Sequence, residues 1–573
     1  MRRSMAKCST NGLGLVMRTT IFRWKGFTIA PTMMFHCCAT SLLWLSLSSA
    51  QTFVASAALQ PDSNPAAVRL TQAAADAAYV LAQRRIQQAH EAQATFLDLG
   101  SLGLKTIPPE IGQLENLKTL ILKGNELTHL PAELGQLENL TRLELYGNQL
   151  TRLPVVLGQL KTLEKLNLKG NELTNLSAEL SQLKNLTQLN LDGNQLTTLP
   201  VEIGQLTSLE DLNLSRNPLT SLPAELGQLT NLKHLSVFEN QLTSVPAELG
   251  QLENLTRLNL WRNRLTSVPS ELGQLANLQE INLRENRLTN LPAEFGQLEN
   301  LRVLSLSKNQ LENVPPELGQ LANLRGLSLD ENQLTSIPAD LGQLESLTWL
   351  ILRENQLTSV PADLGQLVNL ESLSLGDNQL TSLPAELGQL QNLRVLALGE
   401  NQLTSVPADL RQLIFLGTLR LNDNRLTSVP AELGQLVNLR ALELNNNQLT
   451  SVPPELGQLN LLSLSLTNNQ LTHIPPELGQ LNILEELDLS NNQLSNLPAE
   501  FGQLANLRSL HLSSNQLTSI PPNFGQPEHL HTLDLSDNQL TSLPDELLLL
   551  SDVVELNLGG NPLPPEIIEQ YSR

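Results

Sequence analysis

One row of residues in this sequence has the types that acid–base or metal chemistry needs: Asp488, His511 and Asp534, each 23 residues from the next, with Glu485, Glu486 and His531 nearby. A carboxylate, an imidazole and a second carboxylate could orient a base or hold a divalent ion. If residues 23 apart stack side by side, however, the row lies on an open surface without the enclosing shell such sites use, and it reads as solvated and inert. Recognition is the chemistry carried by a second row, Phe238, Trp261 and Arg284, at the same spacing. Arg262 adjoins Trp261, while His234 and Arg257 stand four residues before Phe238 and Trp261. Large aromatics beside arginine combine apolar area with directional contacts, as interface hot spots do; the competing reading is tolerated surface variation. Trp349 and Arg353, with Tyr146, are weaker companions on the same face. No catalytic, metal-binding or cofactor-binding residue is assigned and no cofactor is expected. The three cysteines are Cys8, Cys37 and Cys38, so the chain beyond them holds no disulfide, thiolate zinc site or cysteine nucleophile.

Both rows presuppose a repeat. A unit of 23 residues recurs from Ala94, with first positions at 94, 117, 140 and onward to 553, giving 21 units. The unit beginning Leu117-Lys118-Thr119-Leu120-Ile121-Leu122-Lys123-Gly124-Asn125 continues to Leu130-Pro131-Ala132-Glu133-Leu134-Gly135-Gln136-Leu137. Leucines at positions one, four and six cannot share one face of a flat strand of period two, so each unit is expected to hold a short strand that the chain enters and leaves by turning. Position nine is Asn in every unit but the first, where Leu102 stands: Asn125, Asn148, Asn171, Asn194, Asn217, Asn240, Asn263, Asn286, Asn309, Asn332, Asn355, Asn378, Asn401, Asn424, Asn447, Asn469, Asn492, Asn515, Asn538 and Asn561. A buried carboxamide both donates and accepts, so this column is expected to form a structural ladder that satisfies backbone groups where the chain leaves each strand. Pro at fifteen and Gly at nineteen punctuate the return segment, predicting short helical or 3-10 turns. Departures are few: Ser177, Ser181, Arg411, Pro527, and a unit from Leu439 that is one residue short.

The pattern Leu-x-x-Leu-x-Leu-x-x-Asn-x-Leu-Thr-x-Leu-Pro-x-Glu-Leu-Gly-Gln-Leu-x-Asn-Leu resembles the leucine-rich repeat over about residues 94–563. Its 23-residue form is similar to the repeats of Ras-binding scaffold proteins, plant intracellular Ras-group-related proteins, disease-resistance receptors and Roco GTPases, and the lead-in from Ala82 to Leu99 is similar to the entry of bacterial members. The resemblance implies an α/β solenoid, a horseshoe or arc with a parallel β-sheet on the concave face, short helical or 3-10 turns on the convex face and a helical N-terminal cap. It implies binding on the concave side and names no ligand. No Gly-x-x-x-x-Gly-Lys-Ser/Thr phosphate loop, His-Glu-x-x-His motif or Gly-x-Ser-x-Gly elbow occurs in the sequence.

Composition sets the remaining bounds. The formal net charge is −21, and residues 1–60 contain bases but no acid, so the repeats are more acidic still; nucleic acid is not an expected partner. From Gly26 to Pro61 there is no charged side chain, and an apolar run, Leu42-Leu43-Trp44-Leu45-Ser46-Leu47, precedes the small residues Ser48-Ser49-Ala50 and Ala55-Ser56-Ala57. That order matches a secretory signal; the alternatives are an uncleaved membrane anchor, or an initiation at Met17 or Met33. Residues 65–92 are expected to form a helix that covers the first repeat with Val68, Ala73, Ala77, Val80, Leu81 and Ile86. The domain reading is a signal-like or anchor segment at 1–57, a linker and capping helix at 58–93, repeats at 94–563 and a C-terminal cap at 564–573, to which Leu548, Leu549 and Leu550 are expected to contribute. Asn139, Asn185 and Asn254 begin Asn-Leu-Thr triplets that would accept glycans in a secreting eukaryote. The functional expectation is a non-enzymatic scaffold, exported or surface-anchored, that binds a protein or alternatively a glycan on its concave face and meets membrane only through the N-terminal segment. The rivals are an intracellular signalling scaffold and a structural or adhesion protein.

Overall fold

The computed structural model describes residues 65–522, 529–549 and 555–571. The chain divides into two units, 1–72 and 73–573. The signal-like segment at 1–57 lies outside the described residues; among those described, no helix is long and apolar enough to cross a membrane.

The second unit is a solenoid of 21 coils. Each contributes one three-residue strand, from β1 (Phe96–Asp98) to β21 (Glu555–Asn557), and all join one parallel sheet. Register advances by one unit per strand, as in Leu97↔Leu120 and Leu120↔Leu143. The middle residue of each strand, position four, points inward, and the residues on either side, positions three and five, point out. Positions four and six stack with the other leucines into one continuous core running from Leu97 to Leu563. Fully burying one such leucine stabilises by about 2 kcal/mol.

The return segments are five-residue 3-10 turns, beginning with Pro109–Gln113 and Ala132–Gln136. Pro131, at φ −71° and ψ 153°, holds the residue before the turn extended, which suits proline's fixed φ. Glycine at position nineteen has a different reason from the punctuation expected of it. Its φ is not positive; instead, a Cβ on Gly296 would overlap the carbonyl oxygen of Glu317 in the next coil. The residue is small because neighbouring turns approach backbone to backbone.

The first helix, α1 (Pro65–Glu91), turns toward the end coil a face that includes Ile86, as expected, but otherwise consists of residues the sequence reading did not choose. Ala78, Ala82, Ile86 and Ala89 are buried, whereas Ala73, Ala77, Val80 and Leu81 are exposed; the side chain of Val68 lies outside the described residues. Small alanines let the helix lie close to the coil, and two polar side chains fix its rotation. Arg85 donates to the Asp98 carbonyl (2.9 Å), and His90 Nδ1 lies 3.1 Å from the Gln113 carbonyl oxygen. At the other end, Leu563 is buried and Ile567 of α2 (Pro565–Tyr571) packs partly against the core. The side chains of Leu548, Leu549 and Leu550 lie outside the described residues.

Candidate functional site

The strand face is held open by the asparagine column. Asn148 shows the pattern: its Oδ1 accepts from the Leu127 N–H (3.1 Å), and its Nδ2 donates to the carbonyls of Leu145 (2.9 Å) and Leu122 (3.0 Å). Leu122 also receives Nδ2 of Asn125 (2.9 Å), so both lone pairs of a position-six carbonyl are occupied, one by its own coil and one by the next. The pattern repeats through Asn561. It explains Leu102, since the first coil has no predecessor for an asparagine to reach.

Position eight, just before that asparagine, is left-handed in every coil, from Ser101 (φ 55°) to Gly560 (φ 73°). Its N–H continues the parallel ladder beyond the strand, as in Arg216 N–H to Phe238 O (2.8 Å) and Glu239 N–H to Trp261 O (2.9 Å). Position five adds a further constraint in several coils: the Oδ1 atoms of Asn213, Asn259 and Asn282 each accept the N–H two residues on. These turns fix where position seven emerges.

At position seven, Phe238 and Trp261 meet with ring centroids 5.6 Å apart and planes tilted by 33°, a favourable aromatic geometry. Arg216, from the coil before, places its guanidinium 6.0 Å from the Phe238 centroid, within cation–π range. Two bonds to Asp192 anchor Arg216, whose Nε donates at 2.7 Å, and Lys169 lies 3.3 Å from the same carboxylate. The hydrogen bond to Asp192 raises the guanidinium's pKa against the opposing effect of burial. Around this stack, Arg262 pairs with Glu239 (2.7 Å) and approaches Glu285 (3.9 Å). His234 sits between Asp211 (3.5 Å) and the Arg257 guanidinium (3.0 Å). Two donors, Trp261 Nε1 and Arg284 Nε, are shielded from water without a hydrogen bond, although Arg284 Nε keeps a looser ion pair with Glu285 (3.6 Å); native structures seldom leave such a cost in place.

His234, Phe238, Arg257, Trp261, Arg262 and Arg284 therefore lie together on β7 (His234–Ser236), β8 (Arg257–Asn259), β9 (Glu280–Asn282) and the residues that follow them. Trp349 and Arg353 stand three coils further on and do something else. The Trp349 indole occupies the space above Gly326, its partner in the neighbouring strand, so it serves as a cover for a strand residue that lacks a side chain. Arg353 bonds Asp377 (2.6 Å) and pairs with Glu354 (3.4 Å), and the first of these raises its pKa.

Asp488, His511 and Asp534 are in register on adjacent strands, and each is engaged within its own coil. Asp488 accepts the Ser490 N–H (2.9 Å), His511 Nε2 lies 2.9 Å from Ser509 Oγ, and Asp534 accepts from Ser536 N (3.0 Å) and Oγ (2.6 Å). Among the described residues, no group of three or more His, Cys, Asp and Glu could hold a metal ion.

Sequence reasoning missed Arg216, because its contact with Phe238 joins position eight to position seven of different coils. It also gave no role to asparagine at position twenty-three, although that residue recurs visibly. This column makes an outer ladder on the edge turns, for example Asn139 to Glu115 O (2.9 Å), Asn254 to Thr230 O (2.9 Å) and Asn392 to Val368 O (2.8 Å).

A family model described as a leucine-rich repeat region matches residues 92–195, 188–286 and 293–405, and a second leucine rich repeat model matches 459–517 and 505–563. The chain belongs to the leucine-rich-repeat family. Solved leucine-rich-repeat structures resemble it along most of its length. A leucine-rich-repeat protein of Leptospira interrogans is 44% identical, with a TM-score of 0.59, over 65% of this chain and 97% of that one. The plant peptide hormone receptor RGFR1, solved in complex with RGF2, is 33% identical, with a TM-score of 0.68, over 80% of this chain and 81% of the receptor. YopM from Yersinia enterocolitica is 28% identical, with a TM-score of 0.58, over 84% and 91%. No curated protein matches the chain.

Proposed function

We propose that this leucine-rich-repeat chain is a non-enzymatic scaffold that holds a protein partner against its strand face, centred on Phe238 and Trp261. One observation carries the reading: a partly exposed stack of Arg216, Phe238 and Trp261 adjoins the Trp261 Nε1 donor, which has no acceptor, and the Arg284 Nε, whose neighbouring carboxylate oxygen, on Glu285, stays 3.6 Å away. Aromatic and arginine side chains in such a setting dominate binding energy. The receptor RGFR1 was solved with the hormone RGF2, which supports a peptide or protein ligand over a glycan for this chain. Catalysis has little support from the Asp488–His511–Asp534 row, whose members are each held in local bonds on an open face.

The location that fits best is export or surface attachment, through the uncharged N-terminal stretch; similarity to the ectodomain of a plant membrane receptor kinase supports it. N-terminal sequencing of the mature protein decides the point: a start near Gln51 or Ala58 is expected. A start at Met17 or Met33 in the soluble cytosolic fraction would instead favour an intracellular signalling scaffold.

The binding claim is tested with the triple variant Phe238→Ser, Trp261→Ser, Arg284→Ser beside a control, Asp488→Ser, His511→Ser, Asp534→Ser. In-cell crosslinking and quantitative mass spectrometry identify the partner, and titration follows. The first variant is expected to weaken binding about thirtyfold or more, equivalent to one hot spot, while keeping the wild-type circular dichroism spectrum and losing only the modest part of its melting temperature that the ring stack contributes. An unaltered set of partners would leave the structural or adhesive role.

A further inference from the structure

Away from the strand face, the edge turns that lead into each strand are polar in most coils, with Glu, Gln, Lys, Thr or Ala at position twenty-two and the outer-ladder Asn at twenty-three. One stretch departs from this. Val368, Ile414, Phe415 and Val437 occupy these positions in coils close to one another, and each is about half exposed. Parallel strands lie about 4.8 Å apart, so Val368 and Val437, three coils apart, mark out about 14 Å of edge.

Phe415 is the most telling of the four. It stands where Asn392 and Asn438, in the flanking coils, donate to the Val368 and Ile414 carbonyls (2.8 and 2.7 Å). A phenyl ring cannot donate, so this coil forgoes an inter-coil hydrogen bond and exposes an aromatic ring in its place. Two other irregularities adjoin it: Arg411 replaces the close-approach glycine of the same coil, and the short coil begins at Leu439.

One opposite-charge pair along this edge, Glu371 and Arg440, would meet its own reverse. At position two, successive coils carry Glu371, Arg394, Gly417 and Arg440. Glu371 and Arg394 approach only to 3.7 Å, too far for a hydrogen bond, and Arg440 donates to the Asn460 carbonyl (2.6 Å). A two-fold axis between the Arg394 and Gly417 coils would set Glu371 against Arg440 of a second copy and Val368 against Val437 of that copy. The same axis would set Phe415 against Gln391 and Arg394 of the second copy, each contact occurring twice. An interface made by one patch meeting itself has this self-complementary form.

We propose that this edge, centred on Ile414 and Phe415, is where two copies of the chain associate antiparallel. The apolar patch is small beside the roughly 800 Å² per partner of a standard interface, so the dimer forms in the micromolar range and depends on the flanking charges. This surface is separate from the strand face, and its test is independent of the binding reading above.

Sedimentation velocity of the full chain across the micromolar range tests it, alongside thermal melting. Wild-type protein is expected to move from monomer to dimer. Phe415→Asn should raise the dimer dissociation constant at least tenfold while raising the melting temperature, because the new amide can donate to the Gln391 carbonyl; loss of association thus cannot be blamed on unfolding. Glu371→Arg should weaken the dimer, and adding Arg440→Glu should restore it. A wild-type chain that stays monomeric overturns the proposal, even if a foreign protein binds this edge. So does a dimer indifferent to Phe415→Asn, or a charge reversal that the second reversal fails to rescue.

Discussion

The coils from Leu117 to Ser208 and those that begin with Leu209 have the same strand, asparagine column and leucine core, yet they solve a backbone problem differently. At the left-handed position eight the earlier coils use Gly124, Gly147, Gly170 and Gly193, whereas fifteen consecutive coils from Arg216 to Asp537 place a side chain there. A non-glycine residue in that conformation costs about 1 kcal/mol, less for Asn and Asp. The later coils accept that cost and gain a row of charges at the margin of the strand face, several of them paired: Arg216 with Asp192, Arg262 with Glu239, Lys308 with Glu331. In the outer turns one early coil stands apart. A Cβ on Gly135 would meet its nearest backbone atom, Val156 O, at 3.0 Å, whereas at Gly158 and Gly204 the next carbonyl oxygen already closes to 2.5 and 2.3 Å, as it does in the later coils; Ser181 and Arg411 replace the glycine in one coil of each group. The earlier coils are thus relaxed at position eight and, at Gly135, in the outer turn as well, whereas the later ones are strained at position eight. The candidate binding stack lies where the second regime begins. Because fifteen coils share the strained conformation, strain by itself does not single out a site.

The largest test of this contrast is a glycine exchange in the outer turns. Gly296→Val is expected to destabilise by about 3 kcal/mol, since a backbone oxygen cannot retreat, and Gly135→Val by about half as much; urea melts of both, read by circular dichroism, give the ratio. Equal losses would erase the distinction between these two turns. Next in size is the asparagine column, which the regions share. Asn171→Ala and Asn309→Ala should each cost about 2 kcal/mol by leaving buried backbone groups unpaired, and a marked difference between them would show that the amide spine is not uniform. Position eight comes third. Glu239→Gly should stabilise and Gly147→Glu destabilise, each by about 1 kcal/mol, in the same melts.

The smallest effect concerns the acidic end of that row. Glu400 is held above its ordinary carboxyl value, first by its hydrogen bond with Asp377 and then by burial. Asp377 is held low, because bonds to Glu400 and Arg353 outweigh the upward pull of its partial burial. A raised carboxyl binds its proton more tightly when folded, so its share of stability is present at low pH and is lost as pH rises from 4.5 through the raised value. Asp377 acts oppositely, adding stability above 3.8. Glu400→Gln should therefore remove a small loss of melting temperature on raising the pH above 4.5, whereas Gly193→Ala, at the same position in the relaxed region, should leave that pH profile unchanged.

Much of the fold could be read from spacing, because a stacked repeat writes each structural need once per turn: leucines for the core, proline before the outer turn. What escaped depended on contacts between coils. The glycine of the outer turn looks like a bend in sequence and proves to be a clearance. Position eight hides its conformation under Glu and Arg, and only the four early glycines and Gly560 hint at it. On the capping helix, Val80 and Leu81 are the more apolar residues, yet closeness of approach favoured the alanines. For the candidate site, spacing could group Phe238, Trp261 and the nearby arginines, but the support from Arg216 and the separate task of Trp349 over Gly326 depend on which side chain leans across which strand.

Each amide of the column reaches back toward the coil made before it. During vectorial synthesis, then, no coil can finish its hydrogen bonding until its successor has left the ribosome, and a chain truncated from the C-terminal side always ends in an unlatched turn.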